Sequence, residues 1–313
     1  MSANQLRVIA LVLMLLICVW LGARLLSHKS DVIRDRMTLP PVRAEQTDSI
    51  VIRHGADTLR LVRAGTTWTV NGYRAGREPV GQLFLAFIDT SVPDLAAVSP
   101  SSFRRMGVDS ASGYWLRVWS GGQPTVKLVI GAFAPEASSG YLRREGSDSI
   151  LLWRGNLVDL ARRQVNDWRD KQIGAVVPES VVAVNVTARR SYGLRRAGSS
   201  WRFAAGGAAD SGKVAGFLAL YRSFTASGFG TAAQADSGKK PAARRTLALV
   251  GAGGAKLLEL TFDSSSTGIW ARRTGDDNVY RVDAWRLNSF VPPDSSLQPT
   301  RPARPTTATT AKH

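Results

Sequence analysis

Four stretches of the 313-residue chain carry residue types that could do chemistry. Gly207 to Lys213 reads GAADSGK, the spacing of a phosphate loop in which backbone amides cradle a phosphate and the lysine reaches it. Val214 stands where such a loop needs Ser or Thr for magnesium. No apolar strand ending in a metal-binding Asp follows, and the matching stretch before Val80 has no such loop. Asp210 and Ser211 read better as caps of the next helix. Ser237 to Lys240 fits SxxK, a nucleophile and base pair, but lies in a low-complexity stretch with no KTG partner motif. Asp276-Asp277 could do acid/base work or hold a cation. Its counterpart, Ser147-Asp148, also follows a glycine between two strands, so turn formation accounts for both. Arg162, Arg163, Arg169 and Lys171 alternate with Asp159, Asp167 and Asp170, which reads as a solvated, internally paired helix face. The histidines are His28, His54 and His313 and the single cysteine is Cys18. That count argues against a histidine cluster, a cysteine-ligated metal and an internal disulfide. No nucleophile, base and oxyanion set survives. The sequence therefore predicts no catalytic, cofactor-binding or metal-binding residues, and no enzyme.

The elements that carry these residues are organised by an internal repeat. RAGTTW (Arg63 to Trp68) recurs 133 positions on as RAGSSW (Arg196 to Trp201). Apolar alternation on both sides of a glycine turn predicts a β-hairpin with each Trp on the buried face. Val80, Leu83, Phe84, Phe87 and Ile88 share one face of a helix after Pro79. Val214, Phe217, Leu218 and Tyr221 repeat that pattern, and WARRTG (Trp270 to Gly275) repeats YLRREG (Tyr141 to Gly146). Strands are expected at Tyr114 to Trp119, Val126 to Ile130, Gly140 to Arg144 and Ser149 to Trp153, then a helix over Leu157 to Gln172. The second copy supplies strands at Leu247 to Val250, Leu257 to Phe262, Ile269 to Arg273 and Val279 to Val282. Residues 225–245 read as an insertion-like loop. The expected fold is α+β: two tandem repeats, 48–173 and 174–292, each a mainly antiparallel β-sheet packed with one or two helices. A linker over 27–47 precedes them and a disordered tail over 293–313 follows.

At the N-terminus, Val8 to Ala23 is uncharged and flanked by Arg7 and Arg24. Extended from Leu6 to Leu26 it would be about 31 Å long as a helix, close to the roughly 30 Å of a hydrocarbon core. It reads as an uncleaved transmembrane anchor over 1–26, since Leu21 before Ala23 and Ile17 before Cys18 suit neither a cleaved signal peptide nor a lipoprotein signal. Charge does not orient it: Arg7 precedes the span and Arg24, Lys29, Arg34 and Arg36 follow. The net charge of +17 is spread along the chain, which favours loose attraction to polyanions over a specific nucleic-acid groove.

With these pieces together, the chain resembles the family named domain of unknown function 4340. The Gly-turn Trp hairpin, the helix from Val80, FRRMGV (Phe103 to Val108), IGAFA (Ile130 to Ala134), YLRREG and DWRDKQI (Asp167 to Ile173) carry the resemblance. It implies a membrane-anchored, non-catalytic envelope protein associated with gliding-motility-type ABC transporter components, and it brings no catalytic residues. The resulting expectation is a single-pass accessory or scaffold protein of the cytoplasmic (inner) membrane, with its domains on the extracytoplasmic, periplasmic side and a protein partner in a membrane complex. The alternative is a binder of anionic lipid or cell-wall polymer. An enzyme would need a deep pocket with converging ionisable groups.

Overall fold

The computed structural model describes residues 13–24, 41–88, 93–136, 138–238 and 243–300. It divides into two units, Met1–Asp170 and Lys171–His313. Residues 13–24, the described part of the N-terminal run, are helical and are labelled α1.

In the first unit the glycine turn works as the sequence predicts. Gly65, at φ +63°, takes the left-handed conformation that glycine adopts without strain. It joins β2 (Asp57–Ala64) to β3 (Thr67–Val70), with Arg63 opposite Trp68. The other strands are β1 (Ser49–His54), β4 (Tyr73–Arg74), β5 (Asp94–Val98), β6 (Tyr114–Ser120), β7 (Gln123–Phe133), β8 (Ser139–Arg144) and β9 (Ser149–Arg154). They form one sheet in the order β4-β3-β2-β1-β6-β7-β8-β9-β5, with every pairing antiparallel. Period-two alternation sends Ile50, Ile52, Leu61, Leu116, Val118 and Leu128 to the inner face. Helices α2 (Arg77–Ile88), α4 (Leu157–Arg162) and α5 (Val165–Trp168) contribute to the same core. The short α3 (Phe103–Met106) belongs to a separate cluster on the outer face.

The second unit repeats the plan. Its strands are β10 (Gln172–Gly174), β11 (Val181–Thr187), β12 (Tyr192–Ala197), β13 (Ser200–Phe203), β14 (Ala208–Ala209), β15 (Phe224–Thr225), β16 (Gly228–Gly230), β17 (Arg245–Gly251), β18 (Lys256–Ser265), β19 (Gly268–Arg273) and β20 (Val279–Val282). The large sheet runs β14-β13-β12-β11-β17-β18-β19-β20-β16, the same order as in the first unit. Helix α6 (Ser211–Ala219) takes the place of α2, α7 (Ala232–Asp236) that of α3, and α8 (Leu287–Phe290) closes the core.

Several expectations are corrected. No helix among the described residues is long and apolar enough to cross a membrane. Residues 6–12 and 25–26 of the expected anchor, and 27–40 of the expected linker, lie outside the described residues. The expected transmembrane helix before the repeats is therefore not found among the described residues. The helix expected over Leu157 to Gln172 is two helices. Gln164 starts a new one through a capping box, its N–H donating to Asp167 Oδ2 at 3.0 Å. Residues 225–245 are no insertion, because β16 and α7 match β5 and α3, with Ala235 buried against Trp270 and Val279. Ile88 is 54% exposed instead of inward. The tail is not wholly unstructured: Asp294–Leu297 is a 3-10 turn, Leu297 is buried, and its carbonyl accepts from Asp210 N at 2.8 Å. Residues 301–313 lie outside the described residues.

Of the paired indoles, Trp201 is buried and Trp68 only partly so. Trp201→Ala should cost about 3–5 kcal/mol; Trp68→Ala should cost less. Urea unfolding of the full chain measures both. Tyr221 is fully buried with its hydroxyl donating to Phe290 O, and Tyr192 donates to Pro292 O at 2.6 Å. Burial raises both hydroxyls above the usual tyrosine range, with Asp294 adding to the rise at Tyr192. Unfolded tyrosine ionises at about 10, so this contribution is complete below pH 10 and is lost as pH climbs toward the folded values. Thermal unfolding of the second unit should therefore fall steeply above pH 10, and less steeply in Tyr221→Phe.

Candidate functional site

The side chains that gather on an open surface come from β1, β2 and β6. Strand β6 reads YWLRVWS, so once Leu116 and Val118 enter the inner core, Trp115, Arg117 and Trp119 must emerge on the outer face. Strand β1 does the same with Ser49, Val51 and Arg53, because Ile50 and Ile52 point inward. The register pairs Ser49 with Trp119, Val51 with Arg117 and Arg53 with Trp115, while Arg60 of β2 sits on the other side of Val51. Along the outer face, Met106 and Val108 pack on Val129 and Ile150. Over β2, β1 and β6 the same face holds a cleft of about 710 Å³ instead, lined by Val51, Arg53, Arg60, Trp115, Arg117 and Trp119 among others.

The charges in the cleft differ in how they are held. Arg117 is gripped by both Glu145 oxygens, at 2.7 and 3.2 Å. Asp48 accepts from Gly122 N at 3.0 Å and pairs with Arg63 at 3.4 Å. The Gly122 amide and then Arg63 hold its carboxyl below the usual carboxylate range. Arg53 and Arg60 are exposed, and neither guanidinium meets a carboxylate among the described residues. Behind Trp115 lies Arg143 of β8, 8% exposed. Its Nε donates to Val108 O at 2.9 Å, and its guanidinium carbon lies 4.3 Å from the Phe103 ring centre and 6.0 Å from that of Trp115. Burial lowers the proton affinity of Arg143, which Asp148, Glu145 and Asp109 partly restore.

The stretches singled out in the sequence lie elsewhere. In GAADSGK, Asp210 Oδ1 accepts from Lys213 N at 3.0 Å, and Lys213 Nζ donates to Gln298 O at 3.0 Å and Thr300 Oγ1 at 3.3 Å. These residues cap α6 and tie down the chain's later segment. Ser237 closes α7 with its N–H on Ala233 O, while Lys240 lies outside the described residues. Asp276 accepts from Asn278 N at 2.9 Å and from Tyr280 OH at 2.6 Å, and Ser147 Oγ accepts from Ser149 N at 3.1 Å. Both are turns. The basic row is less solvated than expected. Arg169 is 8% exposed over Tyr73, and Arg162 lies over Tyr114 and Phe133 with one arm on Gly131 O. Among the described residues no group of three His, Cys, Asp or Glu could hold a metal ion. The sequence predicts a strand over Tyr114 to Trp119 without assigning a face to Trp115, Arg117 or Trp119, so it singles out none of the cleft residues. The available signal was Trp-Leu-Arg-Val-Trp, whose alternation cannot bury Leu116 and Val118 together with Trp115 and Trp119.

Residues 66–245, more than half of the chain, match the family described as Domain of unknown function (DUF4340). The chain belongs to the DUF4340 family. No curated protein and no solved structure matches it. The motifs that carry the DUF4340 resemblance do structural work here. A Cβ on Gly131 would meet Met106 O at 2.3 Å and Val108 Cγ1 at 2.6 Å, so the close packing of IGAFA on FRRMGV requires that glycine. In DWRDKQI, Trp168 is fully buried, its carbonyl accepts from Gly76 N at 2.8 Å, and Asp170 N donates to Arg74 O at 2.8 Å.

The functional expectations drawn from an anchor fall with it. A membrane-anchored accessory or scaffold protein, a signal anchor and single-pass inner-membrane, periplasmic placement all required a span from Leu6 to Leu26, and no helix among the described residues is long and apolar enough to cross a membrane. The expected partner in a membrane complex rested on the same span. The alternative, a binder of anionic lipid or wall polymer, rested on spread basic charge. Many of those cations are engaged within the fold, as at Arg74–Asp170, Arg154–Asp94, Arg222–Glu179 and the Arg244–Asp263–Arg272 triad.

The capping role of Asp210 predicts that Asp210→Ala costs about 0.5–2 kcal/mol of stability. Magnesium ATP should leave the melting temperature of the wild-type chain unchanged; differential scanning fluorimetry reads both outcomes.

Proposed function

We propose that this DUF4340 protein is a non-catalytic binding protein whose working surface is the outer-face cleft of the first unit, and that the cleft takes a small organic anion. The observation that carries this reading is the pair Arg53 and Arg60, exposed at diagonal positions across β1 and β2 and without a carboxylate among the described residues. Two like charges so placed repel each other, and a carboxylate or phosphate between them relieves the repulsion while filling the guanidinium forks. The cleft volume of about 710 Å³ suits a small molecule.

The second unit supports the reading by contrast. Superposing the registers, with Ile50 on Val184 and Leu61 on Leu194, puts Thr187, Gly193, Thr246, Ala248 and Val250 where the first unit has Arg53, Arg60, Trp115, Arg117 and Trp119. The shared scaffold does not require those side chains. Within the cleft the carboxylate of Asp48 is committed to Gly122 and Arg63, which supports binding over acid/base chemistry there. An association with ABC transporter components rests on the family resemblance alone and forms no part of this reading.

Calorimetric titration of the full chain at low salt with benzoate and phenyl phosphate tests it. The Arg53→Gln/Arg60→Gln double variant should bind at least ten-fold more weakly, while Arg195→Gln in the second unit should bind like the wild type. Unchanged affinity in the double variant, or no binding by the wild type, overturns the proposal.

A further inference from the structure

Resting on the anion-binding reading above, we infer that the cleft selects anions carried directly on a flat aromatic body, with Trp115 as the stacking platform and Arg143 as the residue that positions it. Trp115 and Arg53 are direct cross-strand partners. Neighbouring strands are about 4.8 Å apart, so one ligand can lie on the indole and reach the guanidinium only if its oxyanion sits on the ring or one bond away. A long flexible tether would carry the charge past Arg53.

The platform is held from behind. Arg143 is buried between Phe103 and Trp115, and its arms are on backbone acceptors: Nε on Val108 O at 2.9 Å and Nη1 on Ser147 O at 3.4 Å. So fixed, Arg143 does not swing into the cleft to bind the anion itself. It spends its charge on ring faces, which restricts Trp115 to one orientation before any ligand arrives, and a rotamer already fixed costs little further entropy on binding. Trp119 lies four residues along β6, about 13 Å from Trp115 at strand spacing. Arg117 lies between them and is committed to Glu145. Of the two available cations, Arg60 pairs with Val51 and only Arg53 sits directly across from a ring, at Trp115.

The test is titration calorimetry of the full chain with 1-naphthoate, cyclohexanecarboxylate and 1-naphthalenemethanol. Naphthoate should bind at least ten-fold tighter than either. Trp115→Leu should bring naphthoate down to the level of cyclohexanecarboxylate without moving the latter. Trp115→Phe, which keeps a ring, should retain the preference. Arg143→Met should lower the ratio of naphthoate to cyclohexanecarboxylate affinity while sparing the aliphatic acid, a selectivity change that general destabilisation would not give. Equal binding of the two acids by the wild type removes the aromatic preference and leaves the anion reading standing. Binding of the alcohol as tight as that of naphthoate, or no binding of either acid, removes both.

Discussion

A sheet has two faces, and in each unit the chain provides helices to bury only one. That shortage governs the rest of the molecule. In the first unit α2, α4 and α5 join the inner core, where Leu61, Leu83, Leu116, Leu142 and Trp168 are sealed from solvent. The outer face receives one short turn of helix, α3, and the small cluster built on Met106 and Val108. What α3 does not reach must be covered by the strands' own side chains. Long residues do this best, since arginine can lay an apolar stem and a flat cation over a neighbouring ring. Arg143 on Phe103 is that solution in its most buried form. Val51, 6% exposed although it faces outward, is flanked by Arg60 and Arg117.

The basic excess takes on a different meaning in that light. Read along the chain, +17 suggests attraction to any large polyanion. In the folded units many of the arginines are structural, stacked on rings, forked onto carboxylates or donating to carbonyls. Asp263, 1% exposed, is held by both Arg244 and Arg272. Breaking such a buried arrangement by removing one partner costs far more than the pair contributes at a surface. A residual charge that does no structural work is informative, which is why Arg53 and Arg60 weigh more than the total.

Alternation made the long strands legible, because Leu116 and Val118, or Leu247 and Leu249, can reach one core only from a period of two. The duplication was legible for the same reason, and the identical strand order of the two sheets accounts for it. The edge elements were not. Gly228-Phe229-Gly230 is too short and too small to show any period, yet it pairs with β20 as β5 does with β9. At the N-terminus, no helix among the described residues is long and apolar enough to cross a membrane, although the apolar run bounded by Arg7 and Arg24 satisfied a hydropathy argument. The candidate cleft was half legible: Trp-Leu-Arg-Val-Trp implies outward indoles, but the neighbours Arg53 and Arg60 arrive only through the register of three strands.

Family membership and the cleft come from different parts of the chain. The DUF4340 match begins at residue 66, after β1 and β2 have ended. Val51, Arg53 and Arg60 therefore lie outside it, while Trp115, Arg117 and Trp119 lie within. Inside the match, glycines and tryptophans of this chain close gaps, as Gly131 does beneath α3. They hold the backbone at a fixed distance and leave the outward positions of β1, β2 and β6 unconstrained. The second unit fills those positions with Thr187, Gly193 and Ala248 and keeps the same sheet. Side chains that a scaffold tolerates but does not need are where two copies of one fold can part in function, and the Trp–Arg face of the first unit is built wholly from such positions.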